Sequence, residues 1–311
     1  MLIEHELGVF APNCDSLVTI GVFDGVHLGH RYLIYKLKEL AGQQSLCTVA
    51  LTFNTHPQEI LNPVSQPPLL TDAVEKAALL QKEGLNGVIV LTFTPELSRL
   101  SSRQFVDLLR SKLRMKGLVI GPDFALGRGA EGNIPALRKM GRELGFSVTV
   151  IPPVKMNGEI ISSTVIRQAM ADGNMEKVRR LMGRPFSLRG KVIKGYGRGS
   201  GLGFPTVNLS ILPGKAMPPD GVYATFAQTR DKTYHSVTNI GVNPTFGNQE
   251  RTVEAYLLDF RDNLYEQEVK INFIHKLRHE IKFAGPDELV KQIYKDIKEA
   301  REVLRNLNPD I

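Results

Sequence analysis

Five short, apolar, β-rich runs recur between residues 17 and 152: LVTIGVF (17–23), LCTVALTF (46–53), GVIVLTF (87–93), GLVIG (117–121) and SVTVIP (147–152). Helical stretches separate them. Leu33, Leu37 and Leu40 share one helical face after the first run, and helices are expected near 72–83, 102–113 and 135–144. Apolar strands that do not alternate with polar residues, each followed by a helix, fit a parallel sheet covered on both faces. Such sheets bind ligands at the carboxyl ends of their strands. Two further short helices are expected at 163–171 and 174–182, closing this half.

The texture changes after Gly183-Arg184-Pro185. GVYATFAQT (221–229), TYHSVTNIG (233–241), VEAYLLDF (253–260) and EVKINFIHKL (268–277) alternate as half-buried strands do, with glycine and proline turns between them. An antiparallel barrel or sandwich is expected. A last amphipathic helix starts at Pro286 and carries Leu289, Ile293, Ile297, Val303 and Leu304. A chain of 311 residues suits two domains, and the boundary is placed between 183 and 184.

No apolar run reaches the roughly 18 residues that a membrane span needs. The start, MLIEHELGVF, is acidic where a secretory signal is basic, so a cytoplasmic protein is expected. Lys and Arg total 39 against 32 Asp and Glu, a net charge of +7 that favours anionic partners. Nucleic acid and small phosphorylated substrates are both candidates, and the basic residues are dispersed, with no dense block, as on a solvated surface. The two cysteines, Cys14 and Cys47, are too few for a disulfide framework or a cysteine zinc site, and buried thiols are expected.

GVFDGVHLGH (21–30) joins the first strand to the first helix. Gly21 and Gly25 let backbone come close to a ligand. His27 and His30 stand three apart at a helix start, where free amides and the helix dipole attract phosphate. Two imidazoles there can hydrogen-bond an α-phosphate and stabilise charge that builds at phosphorus in nucleotidyl transfer. No Walker A string occurs, so the phosphate cradle is of another kind.

The HxGH string resembles the nucleotidylyltransferase superfamily, with its Rossmann-like α/β sheet. The longer string is similar to the N-terminal module of prokaryotic bifunctional FAD synthetases, the riboflavin kinase/FMN adenylyltransferase family. The resemblance implies that Phe23 and Asp24 belong to the nucleotide site with Gly21 and Gly25. ISSTVIR (161–167) resembles that module's second phosphate motif. Ser162, Ser163 and Thr164 can donate hydroxyls at a helix start, and Arg167 can clamp phosphate oxygens. GPDFALG (121–127) and LTFNTHP (51–57) resemble its flavin and nucleotide segments, implying roles for Asp123, Phe124 and His56. Here the chain departs from the family: Ala125 and Leu126 stand where arginine and phenylalanine are usual, and Asn54-Thr55 where Glu-Pro is usual.

GYGRGSGLGFPTVNL (195–209) is the second candidate site. Its glycines, Gly197, Gly199, Gly201 and Gly203, could let amides wrap phosphates. Thr206 and Asn208 are two apart, so on a strand they share a side, and both offer the oxygen that Mg²⁺ prefers. GFPTVN resembles the riboflavin kinase signature, and the resemblance implies an antiparallel β-barrel kinase domain with Glu254 as general base. The implied function is phosphorylation of riboflavin to FMN and adenylylation of FMN to FAD, with ATP as co-substrate, pyrophosphate as product and Mg²⁺ as cofactor. Two other readings compete: a kinase with a weakened adenylyltransferase module, and a flavin-responsive RNA-binding protein that kept the fold. A tRNA synthetase is disfavoured, because no KMSKS-like string occurs.

Overall fold

The computed structural model describes residues 2–62, 66–195, 198–242 and 251–308. The chain forms two compact units, Met1–Ser163 and Thr164–Ile311.

The first unit begins with α1 (Leu2–Gly8), β1 (Ser16–Ile20), α2 (Leu28–Gln44), β2 (Cys47–Phe53), α3 (Pro57–Leu61), α4 (Ala73–Lys82) and β3 (Gly87–Leu91). It continues with α5 (Pro95–Arg99), α6 (Ser102–Leu113), β4 (Met115–Ile120), β5 (Ala125–Leu126) and β6 (Gly132–Asn133). It ends with α7 (Ile134–Leu144), β7 (Ser147–Val150), β8 (Lys155–Met156) and β9 (Glu159–Ile160). Five strands form a parallel sheet in the order β3-β2-β1-β4-β7, as the five apolar runs predict. Both faces are covered. Val18, Ile20 and Leu51 pack with Phe105 and Leu109 of α6. On the other face Leu17 meets Leu37, and Ala50 meets Ile34 and Leu80. The strand order reverses direction between β1 and β4, and a crevice at their carboxyl ends is where such sheets hold ligands.

The first apolar run was expected to reach residue 23, but β1 stops at Ile20. Phe23 (φ 50°) and Val26 (φ 37°) take left-handed backbone, which no strand can accommodate. Such residues cost on the order of 1–3 kcal/mol each and persist only when tertiary contacts hold them. Cys14 and Cys47 also differ from expectation. They are half-buried and joined in a disulfide, with Cα atoms 5.8 Å apart, because adjacent parallel strands bring the start of β2 beside the segment leading into β1.

The second unit holds α8 (Ser163–Ala171), α9 (Met175–Met182), β10 (Phe186–Ile193), α10 (Arg198–Gly201) and β11 (Val207–Ile211). Then follow β12 (Gly221–Gln228), β13 (Thr233–Val242), β14 (Arg251–Leu257), β15 (Glu268–Arg278) and α11 (Pro286–Leu304). Six antiparallel strands close a barrel in the order β10-β11-β14-β13-β12-β15. The two helices that sequence assigns to the first half group with this unit. Val178, Leu181 and Met182 of α9 are buried, and the helix packs on β10 and β15. β12 is buried at seven of its eight positions rather than at alternate ones. One side of it faces the barrel interior, and the other lies under α11, where Ala224 and Phe226 meet Ala300 and Leu304.

Candidate active sites

The turn after β1 is held from several sides. The Asp24 carboxylate is buried and accepts the backbone N–H groups of Leu70 and Thr71, each at 3.0 Å, and the Thr71 hydroxyl at 3.2 Å. Gly25 has φ +83° and donates its N–H to Thr71 Oγ1 at 3.0 Å. The Ser163 hydroxyl donates to the Asp24 carbonyl at 2.9 Å. Asp24 and Ser163 thus shape the turn that sequence links to phosphate. Phe23 is a core residue whose ring lies edge-on to His30, centroids 5.2 Å apart.

His27 caps α2, and its Nδ1 accepts the His30 N–H at 3.3 Å. A neutral His27 therefore carries its proton on Nε2, as a donor. The two imidazoles stack, 3.7 Å between centroids and 17° between planes. His30 Nδ1 is out of solvent and has no hydrogen-bond partner among the described residues. Desolvation of the ring, then the neighbouring His27 and Lys76, push the His30 pKa well below its usual value. Lys76 was missed by sequence reading. It is only 3% exposed, and burial lowers its pKa to about 8 against the pull of Asp24 and Asp72.

Gly21 opens this turn and also lines a cavity of about 500 Å³ with Phe53, Phe93, Phe105, Asp123 and Phe124. Ala125 and Leu126 line it too, so these departures from the family pattern fall on its wall. Asn54 does not line it. Its amide Nδ2 donates to Thr92 Oγ1 at 3.3 Å, and its Oδ1 accepts the Thr55 N–H at 2.7 Å. His56 caps α3, with Nδ1 accepting the Gln58 N–H at 3.2 Å, while the next residue, Pro57, reaches the cavity. Ser162 is half-buried just before α8. Thr164 and Arg167 lie on the first turns of α8, within the second unit.

In the barrel, Glu254 pairs in register with Asn208 on one side and Asn239 on the other. Directly opposed residues point to the same face, and Thr206, two before Asn208, shares it. Thr206 lines two cavities. One, of about 610 Å³, includes Glu254, Asn239, Phe204, Tyr256 and the α11 residues Leu289 and Ile293. The other, of about 350 Å³, includes Phe260, Arg261, Leu264 and Tyr265. Its apolar and aromatic lining gives it the character of a site for a flat ring. Sequence reading found neither wall. Asp296 of α11, 2% exposed, accepts Arg278 Nε at 3.0 Å and the Gln292 amide at 2.8 Å, and so ties the helix to the end of β15 beside the larger cavity.

Of the glycine loop, Gly197 lies outside the described residues. Gly199 and Gly201 are in α10, and a side chain at Gly199 would strike the Phe204 carbonyl. Gly203 has φ +87°. The donors available to a metal are oxygens of Thr206, Asn208, Asn239 and Glu254, a hard set that suits Mg²⁺. Among the described residues no group of three or more His, Cys, Asp or Glu side chains could hold a metal.

A family model described as FAD synthetase matches residues 10–165, and one described as riboflavin kinase matches residues 182–304. The chain belongs to the bifunctional riboflavin kinase/FMN adenylyltransferase family. Relatives of that description include those of Listeria monocytogenes (36% identical, 94% of each chain covered) and Escherichia coli K12 (37%, 94% of each). That of Bacillus subtilis is 34% identical over 97% of this chain and 96% of its own. A crystal structure described as a macrolide-efflux protein from Streptococcus pneumoniae shares the fold, with a TM-score of 0.86, 31% identity and 97% of each chain covered. Among the described residues of the present chain, no helix is long and apolar enough to cross a membrane. The chain is thus a riboflavin kinase and FMN adenylyltransferase, making FAD from riboflavin with ATP.

Proposed function

We propose that the barrel phosphorylates riboflavin across Thr206 and that the parallel-sheet unit adenylylates FMN at the His27–His30 turn, with the activities divided at 183/184. One observation carries the kinase assignment: Thr206 borders both cavities, whereas Glu254 borders only the larger. The larger cavity takes the flavin, so that its ribityl 5′-hydroxyl meets Glu254. The smaller takes the nucleotide ring. Glu254 accepts the hydroxyl proton as the oxygen bonds to the γ-phosphorus and the bond to ADP breaks. Thr206 and Asn208 are the residues that would hold Mg²⁺. When bound, the ion offsets phosphate charge. Gly201 and Gly203, with nothing among the described residues against them, leave room for phosphates, while Gly199 lets the turn pack on the Phe204 carbonyl.

For adenylylation, Gly21 links the 500 Å³ aromatic cavity to the histidine turn. The cavity takes the isoalloxazine ring of FMN against Phe53, Phe93 and Phe124. An FMN phosphate oxygen attacks the α-phosphorus of ATP, and pyrophosphate leaves. His27 and His30 donate hydrogen bonds to the α-phosphoryl oxygens as charge builds, aided by the N-terminus of α2. Ser162, within the same unit, serves the departing phosphates. The substrates are riboflavin, FMN and ATP, and a cytoplasmic location is part of the same proposal.

The assignment is tested by Thr206→Ala. The Mg²⁺ concentration for half-maximal riboflavin phosphorylation should rise about tenfold, as one lost ligand contact of about 1.4 kcal/mol implies, and that for FMN adenylylation should not change. An unchanged kinase requirement would remove Thr206 from the metal site.

A further inference from the structure

α2 and α4 both start at the carboxyl edge of the sheet and lie side by side, with Ile34 of α2 and Leu80 of α4 in one buried cluster with Phe23. One helical turn back from that contact are His30 on α2 and Lys76 on α4. Residues four apart on a helix lie on the same face, so the two side chains are brought together at the mouth of the turn. Lys76 Nζ donates to the carbonyl of Phe53 at 2.6 Å. Phe53 is the last residue of β2 and lines the aromatic cavity. Lys76 therefore bonds to the frame of the cavity without lining it, and its charge acts on His30.

We propose that Lys76 is a positioning residue for adenylyl transfer, acting through His30 and through the Phe53 carbonyl on how the imidazole and the flavin cavity meet the incoming nucleotide. This rests on the assignment of His30 to the adenylyl site. The placement has no ready explanation in stability. A cation in the first turn of a helix opposes the dipole, and an ammonium removed from water is unfavourable unless well paired. The carboxylates that attract Lys76 are Asp24, already occupied by two backbone N–H groups and a hydroxyl, and Asp72, which caps α4. The charged or titratable groups that act on His30 are His27 and Lys76, and both disfavour its protonation. In the free enzyme the imidazole is thus neutral, with an unpartnered Nδ1. A triphosphate brings negative charge that offsets the ammonium, and His30 then becomes a stronger donor only when nucleotide is present.

Histidine-resolved NMR titration with Lys76→Met and Lys76→Arg tests this, alongside the pH profile of FMN adenylylation. Methionine keeps the length and apolar stem, so the fold is retained. In Lys76→Met the His30 midpoint should rise, because removing a nearby like charge favours the protonated imidazole. The pH profile of kcat for FMN adenylylation, which reports the nucleotide-bound form, should shift with it. Lys76→Arg should restore both. In the wild type, α,β-methylene ATP should raise the His30 midpoint, and in Lys76→Met it should raise it less. A His30 midpoint that Lys76→Met leaves in place would overturn the proposal. The site reading stands or falls separately: if His30→Asn makes FAD at the normal rate, His30 is not in the adenylyl site, whatever its midpoint.

Discussion

The two candidate sites are built on opposite kinds of scaffold. In the first unit the polar groups sit on a turn at a sheet edge, where amides, a helix start and two stacked imidazoles converge. In the barrel they sit on neighbouring strands, with Glu254 between Asn208 and Asn239. Adenylylation begins from an FMN phosphate that is already ionised, so that site needs charge stabilisation and no strong base. Phosphorylation begins from an alcohol, whose proton must go somewhere, so that site needs a carboxylate. The buried charges differ in the same sense. Lys76 has a backbone carbonyl as its direct partner, whereas Arg278 and Asp296 form a paired, multiply hydrogen-bonded ion pair.

The largest expected effect is at the base. Glu254→Gln keeps shape and hydrogen bonding but cannot take the proton, and riboflavin phosphorylation should fall by about 10²–10⁴. Conversion of supplied FMN to FAD should continue. Product chromatography on one preparation decides it, and loss of both activities would break the division of labour between the sites.

Next is Asp296→Ala, which leaves the half-buried Arg278 without its buried carboxylate partner. Breaking a fully buried pair costs about 3–5 kcal/mol, and this partly exposed one should cost less. Denaturant unfolding followed by barrel-specific signals should show that loss, and melting of the parallel-sheet unit should be spared. A neutral outcome would mean that the ion pair does not hold α11.

His30→Ala should lower FAD formation by about 10²–10³ and leave FMN formation intact, since a transition-state hydrogen bond is removed. The paired riboflavin and FMN assays read this directly.

The smallest effect compares stability across pH. Lys76 titrates near 8 in the folded chain, against an ordinary value of 10.5. Between those values the unfolded chain binds the proton more tightly, so stability rises as pH rises from about 8 to about 10.5. The gain is at most on the order of 3 kcal/mol, from about 2.5 pKa units. The difference between wild type and Lys76→Met isolates it. A flat difference would show that Lys76 is better solvated than its burial indicates.

Much of this architecture was legible in the chain. The continuous apolar runs could only be inner strands, and Gly21, Gly25, His27 and His30 marked the turn after the first. What stayed hidden has physical causes. Lys76 sits in an acidic and basic stretch, DAVEK, that reads as a solvated helix face, and its burial depends on α2 lying alongside. The cavity walls draw on residues far apart in sequence, such as Phe53 with Phe105 and Glu254 with Leu289. α8 and α9 look like a continuation of the alternating half because helical pattern does not say which sheet a helix covers. The cysteine pairing needed the strand order, since only adjacency of β1 and β2 brings positions 14 and 47 together.

That pairing encloses a ring. The disulfide spans a sequence separation of 33 residues, and the enclosed segment contains β1, the histidine turn and α2. A single peptide-bond cleavage inside the ring would leave both pieces covalently joined, and only reduction would release them. On a gel, a chain clipped near the histidine turn would therefore run as one species without thiol and as two with it. The histidine turn is, in that sense, threaded on a closed loop whose clasp lies at the opposite end of the sheet from it.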